Sequence, residues 1–155
     1  MTASENPCSN TQFERVDVTA DAYSAAAVRR EFSDWLGRYF TLDATQASDV
    51  VLAVNEAMAN AAEYAYGTAE RPGTMHVRAL YDGSTARLSV TVTDQGAWRS
   101  SDPAASGPRR GRGIPLMHAL SDRATVDSSS AGTTVCLEWN HIAASTSATR
   151  DGARA

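Results

Sequence analysis

Lysine is missing altogether: each of the 14 basic residues in this 155-residue chain is an arginine. Chemistry that needs a lysine amine, a Schiff base or the phosphate-gripping lysine of a P-loop, is therefore excluded. Any phosphate contact must come from arginine, backbone amides or a metal ion. Cysteine is scarce. Cys8 in a polar leader and Cys136 inside the apolar run TTVCLEW give neither a disulfide framework nor a metal spacing, and Cys136 is expected to serve packing. His76, His118 and His141 are far apart and have no nearby ligand partners, so a transition-metal site is not expected. Positive charge is short as well. A formal net charge of -4 argues against nucleic acid as a partner, which would require basic residues gathered along the phosphates. No stretch approaches the ~20 apolar residues of a membrane-spanning helix. The start, MTASENPCSN, has neither the basic region nor the apolar run of a secretion signal, and the expectation is a cytoplasmic protein with no membrane contact.

What is present suffices for one domain. Hydrophobic residues make up 43% of the chain, enough for a single sizeable core. A domain over residues 12–140 is expected between a flexible leader, 1–11, and a flexible tail, 141–155, both poor in apolar residues.

Within that domain FERVDVTA suits a short edge strand. Between Asp21 and Phe40, Val28, Phe32, Trp35, Leu36 and Tyr39 recur at helical steps and predict a first helix. Asp43 with Gln46 forms a capping pair for a second helix, whose apolar positions Val51, Val54, Met58, Ala61 and Ala65 run on to Gly67. TMHVRALY and TARLSVTVTD follow as strands around Asp82-Gly83, a dipeptide that favours the tight turn of a hairpin. Met75, Val77 and Ala79 share one side of the first, and Leu88, Val90 and Val92 one side of the second. Residues 95–113, rich in glycine and arginine, predict a long functional loop. Order is expected to return at Ile114, with Pro115 in the first turn of a short third helix. RATVDSSS and GTTVCLEW then form a last antiparallel pair. The order β, α, α, β, β, α, β, β predicts an α+β fold: a two-layer α/β sandwich with a mixed, mostly antiparallel sheet and three helices on one face.

Four stretches carry candidate chemistry. NEAMANAAEYAY sets Glu56 and Asn60 four apart, hence on one helical face. They suit a solvent-facing surface, or a carboxylate that deprotonates a nucleophile beside an amide oxygen that holds Mg²⁺. VTDQGAW puts Asp94 at a strand end and Gly96 where the chain turns. That is either an ordinary turn or an acceptor for a purine amino group with room left for the ring. GRGIPLM places Gly111 and Gly113 ahead of a helix, where free amides attract an anion, with Arg109, Arg110 and Arg112 adding positive charge. GTTV, at the turn before the last strand, is the weakest of the four.

In this order the four motifs resemble the GHKL (Bergerat-fold) ATP-binding superfamily, and residues 13–140 most resemble the anti-sigma-factor serine kinases of bacteria. The resemblance implies ATP and Mg²⁺ as ligands, Glu56 as catalytic base, Asn60 as the Mg²⁺ ligand, Asp94 as the adenine contact and Gly96 as part of the adenine pocket. It places Gly111, Arg112, Gly113 and Ile114 around the phosphates and Thr134 near the adenine side. It further implies an anti-sigma factor with serine/threonine-protein kinase activity that binds a sigma factor and phosphorylates a STAS-type antagonist. A homodimer fits too, with the apolar stripe of the first helix open to it. Tyr64 and Trp98 depart from the family pattern, where many relatives have histidine and glycine. They motivate the alternative of a catalytically weak nucleotide-binding module that sequesters a partner.

Overall fold

The structure, a computed structural model, describes residues 10–67, 73–94, 108–129 and 132–145, with side chains over 11–62, 73–94, 114–129 and 132–145. The strands are β1 (Asn10–Thr19), β2 (Phe40–Thr41), β3 (Thr74–Asp82), β4 (Arg87–Asp94), β5 (Arg123–Ser129), β6 (Gly132–Trp139) and β7 (Ala143–Ala144). The helices are α1 (Ala22–Tyr39), α2 (Ala44–Gly67) and α3 (Pro108–Leu120). Apart from the two-residue pair β2 and β7, this is the expected order. Five strands form one sheet in the order β1-β3-β4-β6-β5, each neighbouring pair antiparallel. The helices cover one face, giving the two-layer α+β sandwich. Among the described residues no helix is long and apolar enough to cross a membrane.

Alternation along the strands decides which face is covered. Met75, Val77, Ala79 and Tyr81 of β3, Leu88, Val90 and Val92 of β4, and Val135, Leu137 and Trp139 of β6 are all buried under the helices. The opposite face is open, and Cys136 lies there half-exposed beside Thr91 rather than in the packing expected of it. β1 is an edge strand as expected, but it runs for ten residues. A bulge between Arg15 and Val18, with Asp17 at φ 56°, breaks its pairing to β3.

α1 starts where Asp21 accepts a hydrogen bond from the Ser24 amide at 2.7 Å. Its stripe of Ala25, Val28, Phe32, Trp35 and Leu36 is buried within the chain's own core, each large member stabilising by roughly 1.5–3 kcal/mol. That stripe is therefore not available to a second copy. α2 is capped in the same way, Asp43 accepting from the Gln46 amide at 2.7 Å, and it ends at Gly67 as its sequence predicts.

Four boundaries differ from expectation. The β3–β4 connection is wider than a tight turn, because Asp82 pairs with Arg87 across four loop residues. The Asp82 carboxylate organises that loop by accepting from the Ser84 amide at 2.9 Å and the Ser84 hydroxyl at 2.7 Å. At the C-terminal side the ordered chain passes residue 140: Ile142 is fully buried, β7 pairs with β2, and the Ser145 amide donates to the Tyr39 carbonyl at 2.8 Å. One large apolar side chain among small ones holds that segment, which is why composition alone assigned it to a tail. Residues 10 and 11, expected in the leader, belong to β1. Fourth, α3 begins at Pro108, not after Gly113, and Pro115 sits inside it. The proline has no amide hydrogen to give to the carbonyl four residues back, at Gly111.

Candidate functional site

The sheet ends in two ways. At the β3–β4 connection, Tyr81, Leu88 and Trp139 stand side by side across β3, β4 and β6. At the far end the same three strands present Met75, Asp94 and Thr133 in register, and β5 adds Ser128 opposite Thr133. Connectivity aims the helices at this second end. α2 leaves the β2–β7 pair, which lies by Tyr81 through the Tyr81 hydroxyl's 2.7 Å hydrogen bond to the Ile142 carbonyl, and ends shortly before β3 begins at Thr74. It therefore carries Glu56 and then Asn60 towards the Asp94 end, with Asn60 about 10 Å before its terminus at 1.5 Å per residue. α3 runs the opposite way. Its last turn is fixed at the Trp139 end, where the indole Nε1 donates to the Leu120 carbonyl at 2.8 Å, so its start at Pro108 faces the Asp94 end.

Among the described residues, four buried side chains are polar: Asn60, Asp94, Thr133 and Ser145. Ser145 belongs to the β2–β7 corner, Asp94 and Thr133 are register partners at the far end of the sheet, and Asn60 lies on α2, which runs towards that end. Asp94 and Thr133 are each 3% exposed and Asn60 7%. A carboxylate, a hydroxyl and a carboxamide are costly to desolvate unless something nearby hydrogen-bonds to them. Thr133 is bonded to Ser128, Oγ1 to Oγ 3.2 Å, and Asp94 has partners of its own. Among the described residues the Asn60 carboxamide has no side-chain hydrogen bond, and half-buried Glu56 makes no ion pair.

The expected residues are thus divided. Glu56 and Asn60 share one face of α2, the helix that runs towards the Asp94 end. Ile114 is half-buried on α3. Gly111, Arg112 and Gly113 lie inside the first half of α3 rather than ahead of it, so helical geometry moves the free amides to the helix start. Gly96 lies outside the described residues, as do Trp98 and the side chain of Tyr64. Thr134 does not stand beside Asp94: it pairs with Thr93, on the open face of the sheet. Thr133 takes that place. The signal was in the sequence, since Val135, Leu137 and Trp139 set the inward parity of β6 and counting back two from Val135 reaches Thr133.

Asn60 offers an uncharged oxygen of the kind that hard cations accept, Asp94 an acceptor for an amino group, and the start of α3 a set of amides for an anion. The residues present therefore fit a magnesium-bound nucleotide. Fold and polar end together define an ATPase sandwich of the GHKL kind. The sequence profile of the histidine kinase-like ATPase domain matches residues 18–139, and the chain belongs to that family. Two solved structures share the fold. One contains the RsbU and RsbW domains of Rv1364c from Mycobacterium tuberculosis, with a TM-score of 0.66 and 23% identity over 85% of this chain and 33% of that one. The chain spans about a third of that protein's length. The other is the histidine kinase domain of the blue-light activated histidine kinase EL346 from Erythrobacter litoralis, with a TM-score of 0.52 and 18% identity over 88% of this chain and 69% of that one. Family membership makes this chain a kinase-like ATPase module.

Proposed function

We propose that the protein is a cytoplasmic anti-sigma factor that transfers phosphate from ATP to a serine or threonine of a STAS-type antagonist and, in the alternative partner state, holds a sigma factor. The observation that carries the nucleotide half of this reading is the burial of Asn60, Asp94 and Thr133 at one end of an otherwise apolar layer. The partner half rests on the ordered motifs that resemble the anti-sigma serine kinases. The likeness in fold to a chain that holds an RsbW domain supports it.

In this mechanism each residue has one task. Asp94 accepts a hydrogen bond from the exocyclic amine of the base and fixes its orientation. The Asn60 carboxamide oxygen would be a ligand for Mg²⁺, and the amides at the start of α3 would meet the phosphates, with Gly111 and Gly113 in the turns just behind them. Bound Mg-ATP would supply the transferable phosphoryl group, and its metal ion would offset the charge. A Glu56 carboxylate oxygen would take the proton of the acceptor hydroxyl as that oxygen bonds to the γ-phosphorus and the bond from that phosphorus to the bridging oxygen breaks, ADP being the leaving group. Phosphoryl transfer asks chiefly for positioning and charge stabilisation, so this small set is sufficient.

The test is incubation of the full chain with Mg-ATP and candidate STAS-domain antagonists, comparing wild type with Glu56→Ala. Transfer by wild type and loss of roughly 100-fold or more in the variant is the expected result. Equal transfer by both removes Glu56 from its role. ATP binding without transfer to any antagonist supports the sequestering module instead. Recovery of a sigma factor in a pull-down from native lysate tests the partner half separately.

A further inference from the structure

We infer that Ser128, on the strand beyond the candidate base contact, polarises the Thr133 hydroxyl so that the site accepts a 6-aminopurine and rejects a 6-oxopurine. The inference rests on the reading of Asp94 and Thr133 as the base end of a nucleotide site. Its own evidence is a line of three polar side chains. Asp94 is the register partner of Thr133 across β4 and β6, and Thr133 is the register partner of Ser128 across β6 and β5. All three lie on the helix-covered face, where β5 otherwise turns in Ala124 and Val126. Opposite residues on neighbouring strands bring their Cβ atoms to within about 5 Å. The hydroxyl oxygens of Ser128 and Thr133 are 3.2 Å apart, a hydrogen bond in which either could donate.

A hydroxyl has a single proton, and its direction decides what the site recognises. A carboxylate only accepts. With Ser128 donating to Thr133, the Thr133 proton remains free to be given onward. The pair then presents an acceptor beside a donor. A 6-aminopurine offers the complement, an amino donor beside the bare ring nitrogen N1. A 6-oxopurine offers the reverse, a carbonyl acceptor beside an N1–H donor, and would set acceptor against acceptor and donor against donor. With the hydrogen bond reversed, Thr133 accepts only and the discrimination at N1 is lost. Ser128 is assigned as the donor because, half-buried, its oxygen can still accept a hydrogen bond from solvent, which the 3% exposed Thr133 cannot. It is a positioning residue, acting on the base through Thr133 and not by contact.

The experiment is calorimetric titration of the full chain with Mg-ATP, Mg-GTP and the magnesium complex of 1-deaza-ATP, which keeps the amino group but lacks the N1 acceptor. Wild type, Ser128→Ala and Ser128→Thr are compared. The expected result is a fall of roughly three- to ten-fold in the ATP-to-GTP affinity ratio for Ser128→Ala, the size of one hydrogen bond. Ser128→Thr, which keeps the hydroxyl, holds the wild-type ratio, and 1-deaza-ATP binds wild type and Ser128→Ala equally. Loss of affinity for all three nucleotides alike in Ser128→Ala marks a merely structural role and overturns the inference, as does an unchanged ratio. Failure of wild type to bind any of the three overturns the nucleotide reading itself, a result distinct from either.

Discussion

The two ends of the sheet are built from the same strands with the same alternation, yet they dispose of polar groups in opposite ways. At the Trp139 end two buried rings close elements onto one another through single donors: the Tyr81 hydroxyl meets the Ile142 carbonyl and the Trp139 indole meets the Leu120 carbonyl, while the buried Trp35 indole Nε1 has no hydrogen-bond partner among the described residues. Around Tyr81 the rings of Phe13, Phe32, Trp35 and Phe40 pack with neighbouring centroids 4.8 to 5.8 Å apart. At the Asp94 end the buried groups are a carboxylate, a hydroxyl and a carboxamide, which have more hydrogen-bonding capacity than one backbone partner can fill. The first end buries rings with single donors, the second groups that can take several hydrogen bonds each, as the nucleotide reading requires.

The contrast is tested most sharply in the aromatic cluster. Phe32→Ala removes a fully buried ring between Phe13 and Trp35 and is expected to lower unfolding free energy by about 3–5 kcal/mol. Urea or guanidinium titration measures it. Base preference in whatever fraction stays folded should not change. Asp94→Asn reverses the pattern. It removes a charge that accepts hydrogen bonds, and ATP affinity is expected to fall by a factor corresponding to roughly 1.5–3 kcal/mol, while the melting temperature moves far less than in Phe32→Ala. A variant that bound ATP normally but unfolded easily would assign Asp94 to the scaffold and end the comparison.

Smaller effects bear on how the closed end is held. Tyr81→Phe loses the bond to Ile142, at a cost of about 1 kcal/mol, with no effect on nucleotide binding. Burial raises the Tyr81 phenol above its ordinary value, because the neutral form is the one that tolerates the interior. Its contribution is complete below the unfolded phenol's value and is lost as pH rises through the folded one. Alkaline unfolding of wild type therefore has a component above about pH 10 that Tyr81→Phe lacks. Smallest are two backbone exchanges. Gly37 lies inside α1 with open space where a methyl would go, and Ala86 holds φ 57° in the β3–β4 loop. Gly37→Ala and Ala86→Gly are each expected to stabilise by about 0.5–1 kcal/mol, read as shifts in denaturant midpoint.

The two ends were not equally legible in the sequence. Everything that depends on repeated spacing was readable: the α1 stripe, the Asp43 cap, the inward sides of β3 and β4, and the pairing of Glu56 with Asn60 on one helical face. What escaped were places where a local signal competed with tertiary context. Asp82-Gly83 indicates a tight turn, but the side-chain bonds of Asp82 to Ser84 favour a wider one. Pro115 resembles a helix start, yet the helix begins seven residues earlier through two glycines, against its propensity. Ile142 is one apolar side chain in a polar run, too little to register as a core position until the β2–β7 pair is seen around it. Thr133 and Thr134 are identical in kind, and only the parity of β6 separates a residue facing the helices from one facing solvent.

That proline inside α3 divides the helix mechanically. Behind it, fully buried Met117 and the Leu120 carbonyl, which accepts from the Trp139 indole at 2.8 Å, anchor the rear turns to the sheet. In front of it, the rung from the Gly111 carbonyl to residue 115 is missing, so the opening turns are tied to the rear ones by one backbone hydrogen bond fewer. A single imino acid thereby marks where the helix is most easily bent.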